Sequence, residues 1–125
     1  MIHLDTSFLI RALLKGSGED RRIRAWLHDG TPVGASAIVW AEFLCGPVEA
    51  NDIELAMTVL EERVPFTEED AAMAASLFNG TGRRRGSLAD CMIAASAIRS
   101  SALLATANAD DFARFRSAGL TLVDA

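Results

Sequence analysis

Carboxylates are the groups through which this 125-residue sequence could do chemistry. Asp5 ends the apolar run Ile2-His3-Leu4 and is followed by two hydroxyl residues, Thr6 and Ser7. Glu42 is the one charge in Ala37-Ile38-Val39-Trp40-Ala41-Glu42-Phe43-Leu44-Cys45. Asp90 precedes a run of small and apolar residues, Cys91 to Ile98, and Asp110 and Asp111 stand just beyond Leu103-Leu104-Ala105. Carboxylates gathered from these four segments would repel one another and raise their own pKa values. A hard cation such as Mg2+ or Mn2+ relieves that repulsion, because carboxylate oxygens and water are its preferred ligands.

Each acid also has a plainer reading. Asp5 or Thr6 can be the N-cap of a following helix, its side-chain oxygen accepting a free backbone N–H. Glu42 can lie on a narrow wet stripe or pair with an arginine. Its helix is apolar all round, which predicts burial, and a buried carboxylate needs a partner or a metal. Ser87-Leu88-Ala89-Asp90 has the spacing of a capping box. Asp110 and Asp111 compete for one role, and either suits an Asx-type cap.

Hydrophobic periodicity indicates which elements hold these residues. Strands are expected at residues 2–4, 33–35, 103–105 and 120–123, with a strand-like link at 64–66 whose Pro65 suggests a sheet edge. Helices are expected at residues 7–15, 19–29, 37–45, 52–63 (with Ile53, Met57 and Leu60 as its face), 67–79 and 88–99. A loop at 108–116 leads to a short helix. Gly30 stops the second helix, Ser36 caps the third, and Thr67 with Asp70 forms a capping box for the fifth. Strands alternating with helices predict an α/β fold with a mainly parallel sheet covered on both faces. Asp5 and the Asp110-Asp111 pair then follow strands, at the sheet end where α/β proteins bind ligands.

The whole-chain totals narrow the function. Residues 1–125 suit a single domain with a real core, and 50% of them are hydrophobic. Glu42 and Arg99 interrupt the best apolar runs before they reach the roughly 18 residues of a membrane span. No export signal is visible at Met1, and Cys45 and Cys91 read as reduced core thiols, so a cytoplasmic protein is expected. The net charge of −5 argues against broad electrostatic binding to nucleic acid, though not against a nucleic-acid enzyme whose carboxylates are covered by metal. Arg83-Arg84-Arg85 is the one local basic run: a solvated loop, or a contact for RNA phosphates or a partner's carboxylates.

The motifs resemble those of the PIN-domain ribonucleases, in particular the VapC-type toxins of bacterial toxin–antitoxin pairs. Leu4-Asp5-Thr6-Ser7 is similar to the first family motif, and Ala41-Glu42-Phe43 with Gly46 to the second. Ser87-Leu88-Ala89-Asp90-Cys91-Met92-Ile93-Ala94-Ala95 is similar to the third, and Thr106-Ala107-Asn108-Ala109-Asp110-Asp111-Phe112 to the fourth. The resemblance spans essentially the whole chain. It implies a PIN-like three-layer α/β/α sandwich with a central, mainly parallel sheet of four to five strands.

It also implies Mg2+- or Mn2+-dependent cleavage of RNA, with Asp5, Glu42, Asp90 and Asp111 as metal ligands and catalytic groups. Thr6, Ser7 and Asn108 would support them. Asn108 departs from members that carry an acid at its place. Attack by water would leave a 3′-hydroxyl and a 5′-phosphate. A cognate antitoxin encoded by a neighbouring gene, and a homodimer, are the implied partners.

Two other classes remain in view. A non-catalytic module could keep the fold, although the full acidic set argues against that. A haloacid-dehalogenase-like phosphotransferase also places an aspartate after its first strand, but it wants a second acid where Ser7 stands and a lysine late in the chain, and the sole lysine is Lys15.

Overall fold

Two short, wholly buried strands form the centre of the molecule, which is a computed structural model describing residues 1–123. β1 (Ile2–Leu4) and β2 (Val33–Ser36) bury every residue on both faces, which requires cover on both sides of the sheet. The other strands are β3 (Glu62–Val64) and β4 (Leu103–Ala105). All pair in parallel in the order β3-β2-β1-β4. The predicted strand at 120–123 is reduced to one parallel bridge, Leu104 to Leu122.

Between the strands run α1 (Thr6–Ala12), α2 (Gly18–His28), α3 (Ala37–Cys45), α4 (Ala50–Val59), α5 (Glu68–Gly80), α6 (Leu88–Arg99) and α7 (Ala109–Phe112). A 3-10 turn, Ala113–Ala118, follows. The α/β class, the parallel sheet and its helical cover match the expectation. α1 packs on α2 and α3, α5 packs on α6, and α6 also meets α3 and β2.

Local chemistry explains most boundaries. Ser17 and Ser36 cap α2 and α3 by accepting from the backbone N–H groups of Asp20 and Val39. Thr67 and Asp70 form the expected capping box on α5. Buried Asp70 also takes Arg99 Nε at 2.7 Å, which locks α5 to α6. Gly30 ends α2 with φ +75, a backbone state that costs a glycine little. Phe8, 1% exposed, stacks on Trp26 at 5.6 Å and joins α1 to α2. Burial of one such side chain contributes about 1.5–3 kcal/mol.

Several expectations fail for identifiable reasons. α4 stops at Val59 instead of 63, because residues 62–64 pair with β2 as an edge strand. Main-chain pairing there overrides a helical charge pattern. Gly34 permits the approach, since a Cβ on it would stand 3.0 Å from the Glu62 carbonyl oxygen. Met57, expected on the inner face of α4, is exposed, and Ala56 takes the buried place. Cys45 is exposed, whereas Cys91 is buried as expected. α3 buries only Val39 and Phe43, so it is not enclosed and Glu42 is exposed. Leu103 in β4 is also exposed, because it sits at the strand's outer end.

Candidate active site

The register of β1 on β4 builds the site. Leu4 pairs with Ala105, so the next residues, Asp5 and Thr106, emerge together at the C-terminal edge of the sheet. The Asp5 N–H donates to the Ala105 carbonyl at 3.0 Å and extends that pairing by one step. Asp5 itself is 3% exposed.

Both Asp5 oxygens are held. Oδ1 accepts from the Phe8 N–H and from the Ser7 hydroxyl, each at 2.8 Å. Oδ2 accepts from Thr106 Oγ1 at 2.5 Å. Asp5 is thus the N-cap of α1, and neither Thr6 nor Ser7 takes that role. The cap engages Oδ1 and leaves Oδ2 to Thr106, in a residue that lines the cleft. Burial pushes the Asp5 carboxyl above its ordinary range, the three hydrogen bonds oppose that rise, and Glu42 adds to it.

Glu42 reaches the site from α3 and accepts from Thr6 Oγ1 at 2.5 Å. Its place at the rim, rather than burial, explains a lone charge on an apolar helix. Asp90 lies in the first turn of α6. The Ser87 hydroxyl turns away to donate to the Arg84 carbonyl at 2.7 Å, and no capping bond forms at that helix start. Asp90 is therefore not consumed as a cap. Burial raises its carboxyl, Arg114 opposes the rise, and Asp111, Glu42 and Asp5 add to it.

These side chains line one small cleft of about 160 Å3: Asp5, Thr6, Ser7, Glu42, Asp90, Ile93, Asn108, Asp111 and Phe112. Asp111 lines it and Asp110 does not, which separates the two competitors geometrically. Asn108 stands at the N-cap position of α7 without a capping side-chain bond. Its backbone N–H donates to Thr106 Oγ1 at 2.9 Å and aims that hydroxyl at Asp5. Arg83, Arg84 and Arg85 lie outside the lining. Arg83 is engaged elsewhere, donating to Asn79 Oδ1 at 2.8 Å, while Arg84 and Arg85 are exposed.

Two residues of the site went unassigned from sequence. Thr106 was visible as a hydroxyl directly after a strand, the same signal that marked Thr6 and Ser7. Arg114 gave no local signal. Its guanidinium lies 4.4 Å over the Phe115 ring and 3.9 Å from Asp90 Oδ2, and it donates to the Asp111 carbonyl.

The PIN domain family matches residues 2–117, and the chain belongs to that family. Among solved structures it resembles VapBC2 from Rickettsia felis, bound to a DNA fragment from their promoter, at 24% identity and TM-score 0.79, over 98% of both chains. It resembles FitAcB from Neisseria gonorrhoeae at 25% identity and TM-score 0.69, over 99% of this chain and 97% of that one. It also resembles VapBC-5, a VapBC-family toxin–antitoxin system from Mycobacterium tuberculosis, at 26% identity and TM-score 0.59, over 97% of each chain. No curated protein matches the sequence.

Toxins built on the PIN domain are nucleases, which makes the chain a hydrolase acting on nucleic acid in class. PIN nucleases generally use divalent metal ions. Among the described residues no three His, Cys, Asp or Glu side chains stand close enough together to form a ready metal cage, although four carboxylates share the cleft. The donor set nevertheless fits a hard cation. Every ionisable side chain in the lining is a carboxylate, and Mg2+ keeps several waters while leaning on one or two such groups. Among the described residues no helix is long and apolar enough to cross a membrane.

Proposed function

We propose that the chain is an Mg2+- or Mn2+-dependent endoribonuclease, a single PIN domain over residues 1–125 that acts as the cytoplasmic toxin of a toxin–antitoxin pair. The observation that carries the reading is the convergence of Asp5, Glu42, Asp90 and Asp111 on one polar cleft at the C-terminal edge of a parallel sheet. The carboxyls of Asp5 and Asp90, raised first by burial and further by neighbouring carboxylates, support it, since a cation in the cleft stabilises their charged forms.

Asp5, through Oδ2, and Asp90 would hold the metal, with Glu42 and Asp111 completing the acidic ring. The ion would act as a Lewis acid toward the phosphodiester and lower the pKa of an attacking water. The chain's own residues do the rest. Ser7 and the Phe8 N–H fix Asp5 from one side and Thr106 from the other. Thr6 holds Glu42 in place, and Asn108 orients Thr106 through its main chain. Glu42 and Asp111, both exposed at the mouth, are the carboxylates positioned to accept the proton of the attacking water. In-line attack leaves a 3′-hydroxyl and a 5′-phosphate, with no part for the ribose 2′-hydroxyl as nucleophile.

The antitoxin reading draws on the likeness to VapBC toxin–antitoxin structures and on surface chemistry. Ile10, Leu14, Leu44 and Leu55 are large, apolar and exposed. Two apolar clefts adjoin them, one between α1, α2 and α4 and one between α1 and the end of α3. An amphipathic segment of a small antitoxin would bury these residues. Arg84 and Arg85 are exposed to RNA phosphates or to that partner's carboxylates, Arg83 joins them only by giving up Asn79, and the chain works as a homodimer. The test is to incubate the purified chain with single-stranded RNA and with DNA of the same sequence, in Mg2+, Mn2+ or EDTA. Cleavage of RNA that stops in EDTA and is inhibited by the neighbouring gene's product is expected. Cleavage of DNA alone, or cleavage that persists in EDTA, contradicts the reading.

A further inference from the structure

Beside the acid cleft lies a second groove of about 190 Å3, formed where the C-terminal end of α5 faces the 3-10 turn after α7. Ser76, Thr81, Arg114 and Ser117 supply its polar lining, and the rest is Leu77, Gly80 and Ala118. No carboxylate lines it. In a chain of net charge −5 that is a marked local reversal, because Arg114 gives the groove a positive wall.

Arg114 lines this groove and touches two residues of the acid cleft. Its guanidinium donates to the main chain of Asp111 and lies 3.9 Å from the Asp90 carboxylate, so one edge faces the acids. That separation is longer than a hydrogen bond, and the side chain is 18% exposed. Its Nε is buried with no hydrogen-bond partner among the described residues. Phe115, fully buried, stacks under the guanidinium at 4.4 Å and fixes its plane. A guanidinium backed by a ring, with terminal N–H donors left beyond its contacts to Asp111 and Asp90, is suited to a phosphate. Asp90 alone does not account for it, because that contact is loose.

We propose that this groove is an RNA subsite, taking the phosphate next to the scissile one, with Arg114 as the residue that binds it and the Ser117 hydroxyl as a second donor. The proposal rests on the ribonuclease reading and names the path of its substrate. The strand would run from the acid cleft across Arg114 and on toward the Arg83-Arg84-Arg85 loop, which leaves α5 just past Thr81. The wall between the clefts thereby separates two tasks. Carboxylates hold the phosphate to be cut through a cation, and a fixed arginine holds its neighbour directly.

The test measures binding apart from cleavage. A short fluorescein-labelled single-stranded RNA is titrated by anisotropy in EDTA against the wild-type chain, Ser117→Asp and Arg114→Gln. Ser117→Asp puts a carboxylate on an exposed groove position and leaves the acid cleft untouched. Both variants are expected to bind RNA at least about tenfold more weakly, the size of one charge-assisted contact. For Arg114→Gln the log–log salt slope should shrink by about 0.7, one phosphate contact on a single strand. In Mg2+, the Ser117→Asp effect should fall on KM rather than kcat, and calorimetric Mn2+ binding should match the wild type. Wild-type binding by Ser117→Asp, or no RNA binding by the wild-type chain in EDTA, overturns the groove. RNA binding lost in Ser117→Asp, from a chain that never cleaves RNA, supports the groove and contradicts the nuclease reading instead.

Discussion

The hydroxyl of Thr106 donates a 2.5 Å hydrogen bond to Oδ2 of Asp5, joining the ends of two adjacent parallel strands. That oxygen is the one the helix cap does not use. Thr106 therefore sets the direction in which Asp5 presents its remaining lone pair. Thr106→Val keeps the β-branched shape and removes the donor. The account expects kcat for RNA cleavage to fall about tenfold to a hundredfold, the range of lost outer-sphere support at metal sites. Thr106→Ser should recover most of it. Equal rates for Thr106→Val and wild type would remove Thr106 from the site.

Asp5 carries a structural and a chemical role, and two substitutions separate them. Asn caps helices about as well as Asp, whereas Ala does not. Asp5→Asn should abolish cleavage with little loss of folding stability, and Asp5→Ala should abolish cleavage and also cost about 1 kcal/mol in urea denaturation. An active Asp5→Asn would show that only the cap matters.

Asp90 is held at a cost in the metal-free chain. Its folded carboxyl is raised by burial, so the protonated form is favoured on folding. The penalty is absent below the unfolded value, develops as pH rises from the unfolded toward the folded value, and is complete above the folded one. Asp90→Asn is therefore expected to melt higher than wild type in EDTA at pH 7. Added Mn2+ should raise the wild-type melting temperature and leave that of Asp90→Asn nearly unmoved. A variant less stable than wild type in EDTA would contradict this.

His3 gives a pH effect of the opposite sense. Burial on β1 lowers its pKa from 6.5 to about 4, so the unfolded chain binds the proton more tightly. Stability is full above the unfolded value and falls as pH drops from 6.5 toward 4, by up to about 3 kcal/mol. His3→Leu should flatten that part of the stability profile in urea denaturation. A profile unchanged by the substitution would assign the loss to other groups.

Much of the fold could be read from local chemistry, and the limits are physical. α3 begins at Ser36 and ends at Gly46 as expected, because capping and glycine are local signals. The periodicity alone extends α4 to 63, because the pairing that makes residues 62–64 a strand comes from β2, distant in sequence. Glu42 was singled out by an argument from burial, yet it is exposed at the cleft rim. Its position in the cleft followed from the apolar helix that carries it, and its exposure from the open packing of α3. The choice of Asp111 over Asp110 required the turn of α7. Arg114 required the tertiary meeting of α6 with the 3-10 turn, which no sequence spacing encodes.

The central claim is that the four converging acids cut RNA through a bound divalent cation. It is tested most directly by single-turnover cleavage of 5′-labelled RNA in Mg2+ by the wild-type chain and by Asp90→Asn, each shown folded by circular dichroism, with the product ends analysed. The account predicts cleavage by the wild type alone, abolished by EDTA, with 5′-phosphate and 3′-hydroxyl ends. Equal rates for the two proteins, or 2′,3′-cyclic phosphate ends, would contradict it.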